Sequence, residues 1–153
     1  MKKLLPLLII SLYLFSCNSN TSKVDNAKDA GSLTFKLTEL WSTDTIMQTP
    51  ESVLFDAKEG VLYVANMQLA TEEDDGFISR LSPEGRILDL EWVGDLVAPT
   101  GMGIYDGKLL VAEKSELAII DIESAELEER VIVEGAGFTN DLDISKEAYV
   151  YFT

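Results

Sequence analysis

Histidine is absent from the 153 residues, cysteine occurs once, and 12 basic residues face 27 acidic ones, for a net charge of -15 at pH 7. Each scarcity excludes something. Without histidine there is no ordinary neutral-pH proton shuttle, so any chemistry must rest on carboxylates, amides, hydroxyls or a metal. A single cysteine cannot form an intrachain disulfide. An acidic surface repels phosphate backbones, which argues against a nucleic-acid partner. Beyond one apolar run near the amino terminus there is no long hydrophobic stretch, and no segment carries a convincing helical period. Residues Glu123–Arg130 could form one helical turn, but a solvated loop is the expectation.

The apolar run is Leu4 to Phe15, preceded by Met1-Lys2-Lys3 and followed by Ser16-Cys17. It has the length of a signal peptide and is too short for a normal membrane-spanning helix. Leu14-Phe15-Ser16-Cys17 resembles the lipobox of bacterial lipoproteins, although Phe15 is bulkier than the usual residue there. The resemblance implies cleavage before Cys17 and lipid attachment to its thiol, with a membrane as partner. Asn18 is not an aspartate retention signal, so the expected address is the outer membrane of a bacterial envelope. Residues 1–16 then form the signal peptide and 17–32, polar and small, a flexible tether to a domain spanning 33–153.

In that domain one pattern recurs. Pro50-Glu51-Ser52-Val53-Leu54-Phe55-Asp56 is answered by Val61–Ala65, Thr100-Gly101-Met102-Gly103-Ile104-Tyr105-Asp106 by Lys108–Ala112, and Asn140-Asp141-Leu142-Asp143-Ile144-Ser145 by Ala148–Phe152. The repeats start about fifty and then about forty residues apart, the spacing of β-propeller blades. The strands expected for the first blade are Ser52–Phe55, Val61–Ala65, Phe77–Leu81 and Arg86–Trp92. Those for the second are Met102–Tyr105, Lys108–Ala112, Leu117–Ile122 and Arg130–Val133. Leu33, Phe35 and Leu37 alternate with polar residues and suggest an earlier strand. Asp106-Gly107 signals a two-residue hairpin, and Ser82-Pro83-Glu84-Gly85 a tight turn.

The fold class expected is all-β: a partial propeller of about two and a half four-stranded blades, from a ring expected to hold six. The third unit runs out at Thr153 inside its second strand, so the chain reads as the front part of a larger protein, inactive by itself. Two acidic runs, Glu72–Asp75 and Glu126–Glu129, read as solvated loops, the second lying before the last strand of its blade. Glu72–Asp75 lacks the alternation and glycine of a calcium loop. Trp41 and Trp92 read as blade-packing residues.

The segment Pro50–Phe55 followed by Gly60–Val64 resembles the opening of the gluconolactonase, regucalcin and luciferin-regenerating-enzyme propellers. Phe138-Thr139-Asn140-Asp141-Leu142-Asp143-Ile144 resembles their later Pro-Asn-Asp segment. That resemblance implies a divalent cation, calcium above all, in the central channel. Glu51 matches the family's early glutamate and Asn140 its asparagine, with Asp141 and Asp143 weaker candidates. Carboxylate and amide oxygens suit such a hard ion. The implied activity is metal-dependent hydrolysis of a lactone or similar ester, its catalytic base lying outside this chain. Thr100-Gly101 where many relatives have Asn-Gly, and Thr139 in place of proline, are departures from the pattern. NHL-repeat propellers share the same strand grammar, which leaves a non-catalytic envelope propeller binding a glycan, peptide or protein as the alternative.

Overall fold

The computed structural model describes residues 35–43, 45–68 and 75–153. The signal segment, Cys17, the tether, Leu33, Thr34 and Glu72–Asp74 lie outside the described residues. The chain divides into two compact units, Met1–Leu37 and Thr38–Thr153. In the first, Phe35 and Leu37 are exposed and no strand forms at Phe35–Leu37, against the alternation of the sequence. A strand needs a ladder partner for its backbone groups, and alternation alone does not supply one.

Among the described residues the second unit contains ten strands and no helix. Strands β1 (Pro50–Asp56), β2 (Val61–Asn66), β3 (Gly76–Leu81) and β4 (Ile87–Leu96) form one antiparallel sheet in chain order. A second sheet, built the same way, holds β5 (Pro99–Tyr105), β6 (Lys108–Glu113), β7 (Glu116–Asp121) and β8 (Leu127–Ile132). Strands β9 (Leu142–Ile144) and β10 (Val150–Phe152) begin a third. Successive up-and-down sheets whose first strands lie side by side are propeller blades, and the fold is a partial β-propeller.

Local chemistry sets the turns. Asp106 and Gly107 both take positive φ (47° and 78°), as a type I′ hairpin requires. The turn after β1 is organised by buried Asp56, whose Oδ1 accepts from the N–H groups of Lys58 (2.8 Å) and Glu59 (3.2 Å). After β3, Gly85 donates to the Ser82 carbonyl at 2.9 Å, the turn that the Ser-Pro-Glu-Gly sequence implies.

The core lies between blades. One face of the first blade (Tyr63, Ala65, Ile78, Val93, Leu96) packs on Met102, Leu109, Val111, Ala118 and Ile120 of the second. The alternate residues of β6, Leu110 and Ala112, pack with Leu117 and Leu142 toward the third. This is why β6 reads as a continuous apolar run: it is buried on both faces. Each large aliphatic side chain enclosed this way contributes roughly 1.5–3 kcal/mol. Trp92 packs against the first seam, with its ring 5.0 Å from that of Tyr63, in the packing role expected of it.

The second acidic run departs from expectation. Glu128 and Glu129 lie inside β8, not in a loop before it. Leu127 and Glu129 pair with Ile120 and Ile119, and Glu128 is the extra residue of a bulge. β8 is the outer edge of its sheet and exposed along nearly its whole length, so charge there costs little and guards an open edge.

Candidate site at the start of the inner strands

β1, β5 and β9 are the first strands of their sheets and lie side by side, with β5 in the middle. Their starting ends are Pro50-Glu51-Ser52, Pro99-Thr100-Gly101 and Thr139-Asn140-Asp141. Packing fixes how these compare. Met102 and Ile104 face the first blade, Leu142 and Ile144 lie under Gly103 against the second, and Val53 and Phe55 alternate with core-facing Leu54. Val53, Met102 and Leu142 are therefore equivalent. Two residues nearer the chain start, Glu51, Thr100 and Asn140 occupy equivalent positions in three successive blades.

Hydroxyl-to-carbonyl bonds tie these ends together. Ser52 Oγ donates to the Thr100 carbonyl. Thr100 Oγ1 donates to the Thr139 carbonyl at 2.9 Å, with the Ala112 carbonyl as a second acceptor at 3.2 Å. Thr139, buried, closes onto β6 through its hydroxyl to the Glu113 carbonyl (3.3 Å) and its N–H to the Lys114 carbonyl (2.6 Å). Thr100 and Thr139 thus take part in joining the blades. Gly101 completes the seam: its N–H donates to the Asn140 carbonyl at 3.1 Å.

Glu51 falls at a register shift. Pro50 pairs with Asn66 and Ser52 with Ala65, so Glu51 is the extra residue of a β-bulge. β5 shifts register at the corresponding place, between Pro99 and Met102. A bulge takes its residue out of the ladder and re-aims the side chain. The Glu51 carboxylate is exposed and has no hydrogen bond or ion pair among the described residues. It borders a shallow hollow of about 190 Å³ with Pro50, Ser52, Val53 and Val64, on the open face of the first blade. Asn140 is exposed too. Its backbone is bonded on both sides, to Thr153 and Gly101, while its side-chain amide is unpaired among the described residues.

Asp141 and Asp143 differ from these. Asp141 Oδ1 accepts from the N–H of Leu142 (2.8 Å), and Asp143 Oδ1 from that of Ile144 (2.9 Å). Among the described residues, no group of three or more acids or cysteines is close enough to hold a metal ion. The structure therefore presents Glu51 and Asn140 as free oxygen donors at matching positions, on the two flanks of β5, without bringing them into one cluster.

At the same end lies an arrangement with no sequence signal. The Glu113 carboxylate is buried, its side chain 1% exposed. Its Oε1 accepts from the Val97 N–H at 2.6 Å, and its Oε2 from Arg130 Nε at 3.0 Å. Arg130 also donates to the Asp95 carbonyl at 2.6 Å. Burial pushes the Glu113 carboxyl above its ordinary range, and the Val97 N–H and Arg130 partly offset that. The partners are 16 and 17 residues away in sequence, and only the sheet brings them together.

No known family and no curated protein matches the chain in sequence. A solved structure, the crystal structure of a nidogen/laminin complex, contains a similar propeller: TM-score 0.54 at 19% identity, covering 74% of this chain and 41% of that one. The chain spans less than half the length of that solved propeller chain.

Proposed function

We propose that, in a completed ring, the protein holds a divalent cation, calcium, at the start of its inner strands and hydrolyses a lactone or similar ester there. The observation that carries this reading is the bulge at Glu51, which leaves a carboxylate free at the position where the neighbouring blades have Thr100 and Asn140. Its closest rival, a carboxylate capping backbone amides at a strand entrance, finds no support, since no N–H among the described residues bonds to Glu51. Glu51 would supply a negative ligand and Asn140 a neutral amide oxygen. Thr100 has spent its hydroxyl on the blade seam. A bound cation would polarise the ester carbonyl and acidify a water. Two donors fall short of the six to eight oxygens calcium takes, so further blades must complete the set.

The test is hydrolysis of gluconolactone by the ring-complete protein. Activity that requires calcium and drops at least tenfold in Glu51→Gln supports the reading. Activity that is absent, or indifferent to both, leaves the NHL-like envelope propeller that binds a glycan, peptide or protein.

We also propose that Cys17 carries lipid and tethers the domain to the bacterial outer membrane, on the strength of Leu14-Phe15-Ser16-Cys17. Expressed in a bacterium, the protein should incorporate a fatty-acid analogue and sediment with membranes, and Cys17→Ser should abolish both. Equal labelling of the variant would refute the anchor.

A further inference from the structure

At the opposite end of the seam, where the β1–β2 and β5–β6 hairpins meet, a cavity of about 590 Å³ opens between the first two blades. That is the size range of small-molecule sites. Its inner wall is Tyr63 and Arg80, cross-strand partners on β2 and β3. Tyr63 is fully buried, and among the described residues its hydroxyl has no hydrogen-bond partner; the same holds for buried Nε of Arg80. Both side chains rest on Trp92, the Arg80 guanidinium 5.2 Å from its ring centre. A buried, unpaired hydroxyl typically costs about 1–3 kcal/mol; both atoms are closed off from solvent, and a small turn of the Tyr63 and Arg80 side chains into the cavity would let an occupant pair them.

Charge identifies its chemistry. The cavity is lined by three cations, and two are already answered. Lys108 is bound by Asp121 (2.8 Å) and Glu128 (2.7 Å), and exposed Lys58 pairs with Glu59. Among the described residues Arg80 has no carboxylate partner. Burial pushes the Tyr63 phenol up to about 12, so at neutral pH it is a proton donor. Two adjacent N–H and O–H donors on a positive centre match one carboxylate. The rim is the reverse: Asp106 and Glu123 are exposed acids whose side chains are unpaired among the described residues.

We propose that this interblade cavity binds a small zwitterion, its carboxylate on Arg80 and the Tyr63 hydroxyl and its ammonium group toward Asp106 and Glu123. The site is separate from the inner-strand site and does not depend on a cation.

The test is a titration of the full chain with 4-aminobutyrate, in buffer containing EDTA so that no metal holds the carboxylate. Calorimetry and tryptophan fluorescence, with Trp92 as reporter, read the binding. Saturable binding is expected for 4-aminobutyrate, at least tenfold weaker binding for butyrate, and none for butylamine. Arg80→Lys keeps the charge but lacks the forked donors and should weaken binding at least tenfold. Tyr63→Phe should weaken it comparably while leaving the urea midpoint unchanged or higher, because the hydroxyl has no bond to lose. Absence of binding at tens of millimolar, binding indifferent to both variants, or a lowered midpoint for Tyr63→Phe would each overturn the proposal.

Discussion

Replacing Glu113 by alanine is expected to lower stability by about 3–5 kcal/mol, the cost of removing one partner from a buried charge pair. Arg130 keeps a third of its side chain exposed, which places the effect near the lower end. The loss strands two donors at once, the Val97 N–H and Arg130 Nε. Val97 sits in the crossover from β4 to β5, and Arg130 sits on the edge strand β8, so the carboxylate clamps the exit of one blade to the rim of the next. In urea the midpoint should fall by more than about 1 M. An unchanged midpoint would mean that the clamp does not form. Acidity gives a second readout. Because burial raises the native pKa of Glu113 above its ordinary 4.5, the native state holds this proton more tightly than the unfolded chain. This carboxyl's contribution to stability therefore falls as pH rises from 4.5 through the raised value, and Glu113→Gln should remove that slope. Asp121 acts in the opposite sense. Hydrogen bonds from Lys108 and Ser124 hold it below the usual range, so its contribution is present above its unfolded value and is lost as pH falls through the native one.

Gly101→Val should detach the third blade. A Cβ at residue 101 would sit 2.4 Å from Asp141 Oδ1, 2.5 Å from Asp141 Cα and 2.7 Å from the Leu142 N. Two of those atoms are backbone and cannot swing aside, so β5 and β9 must separate. The Gly101–Asn140 bond and the contact of Leu142 with Leu110, Ala112 and Leu117 go with it. Overpacking of this kind costs about 1–3 kcal/mol or more. Hydrogen exchange should accelerate first across Leu142–Phe152 and leave β2 and β3 protected. Gly107 provides the contrast. A Cβ there meets nothing within 4 Å, and only its φ of +78° opposes a side chain. Gly107→Ala should therefore cost about 1 kcal/mol with no loss of blade contact. Equal exchange profiles for the two variants would show that close approach at Gly101 does not hold the third blade.

The blades were legible because period-two alternation and turn chemistry are local. Leu54, Ile104 and Ile144 stand in strands where the sequence places them, and Asp106-Gly107 turns as its residue types demand. Failures came where a neighbour decides. Phe35 and Leu37 alternate correctly, yet alternation alone makes no ladder, and no strand forms there. Glu128 and Glu129 look like loop residues because strands disfavour acids, but on an exposed edge that preference has little weight. At the site, Glu51 and Asn140 were visible as residue types at repeat starts. The bulge that frees Glu51 depends on the pairing with β2, and the Ser52–Thr100–Thr139 chain of bonds depends on how blades pack. No window of sequence contains either, nor the cavity at Tyr63 and Arg80.

Calcium titration of the ring-complete protein, comparing wild type with Glu51→Gln by calorimetry, tests the proposed function most directly. Glutamine keeps the size and an oxygen donor but removes the negative charge that a hard cation prefers. One ion should bind to wild type, and the variant should bind it at least tenfold more weakly, while the present chain, with two donors, binds weakly at most. Equal affinity in the two proteins, or no divalent ion bound by either, would contradict the assignment of Glu51 as a cation ligand.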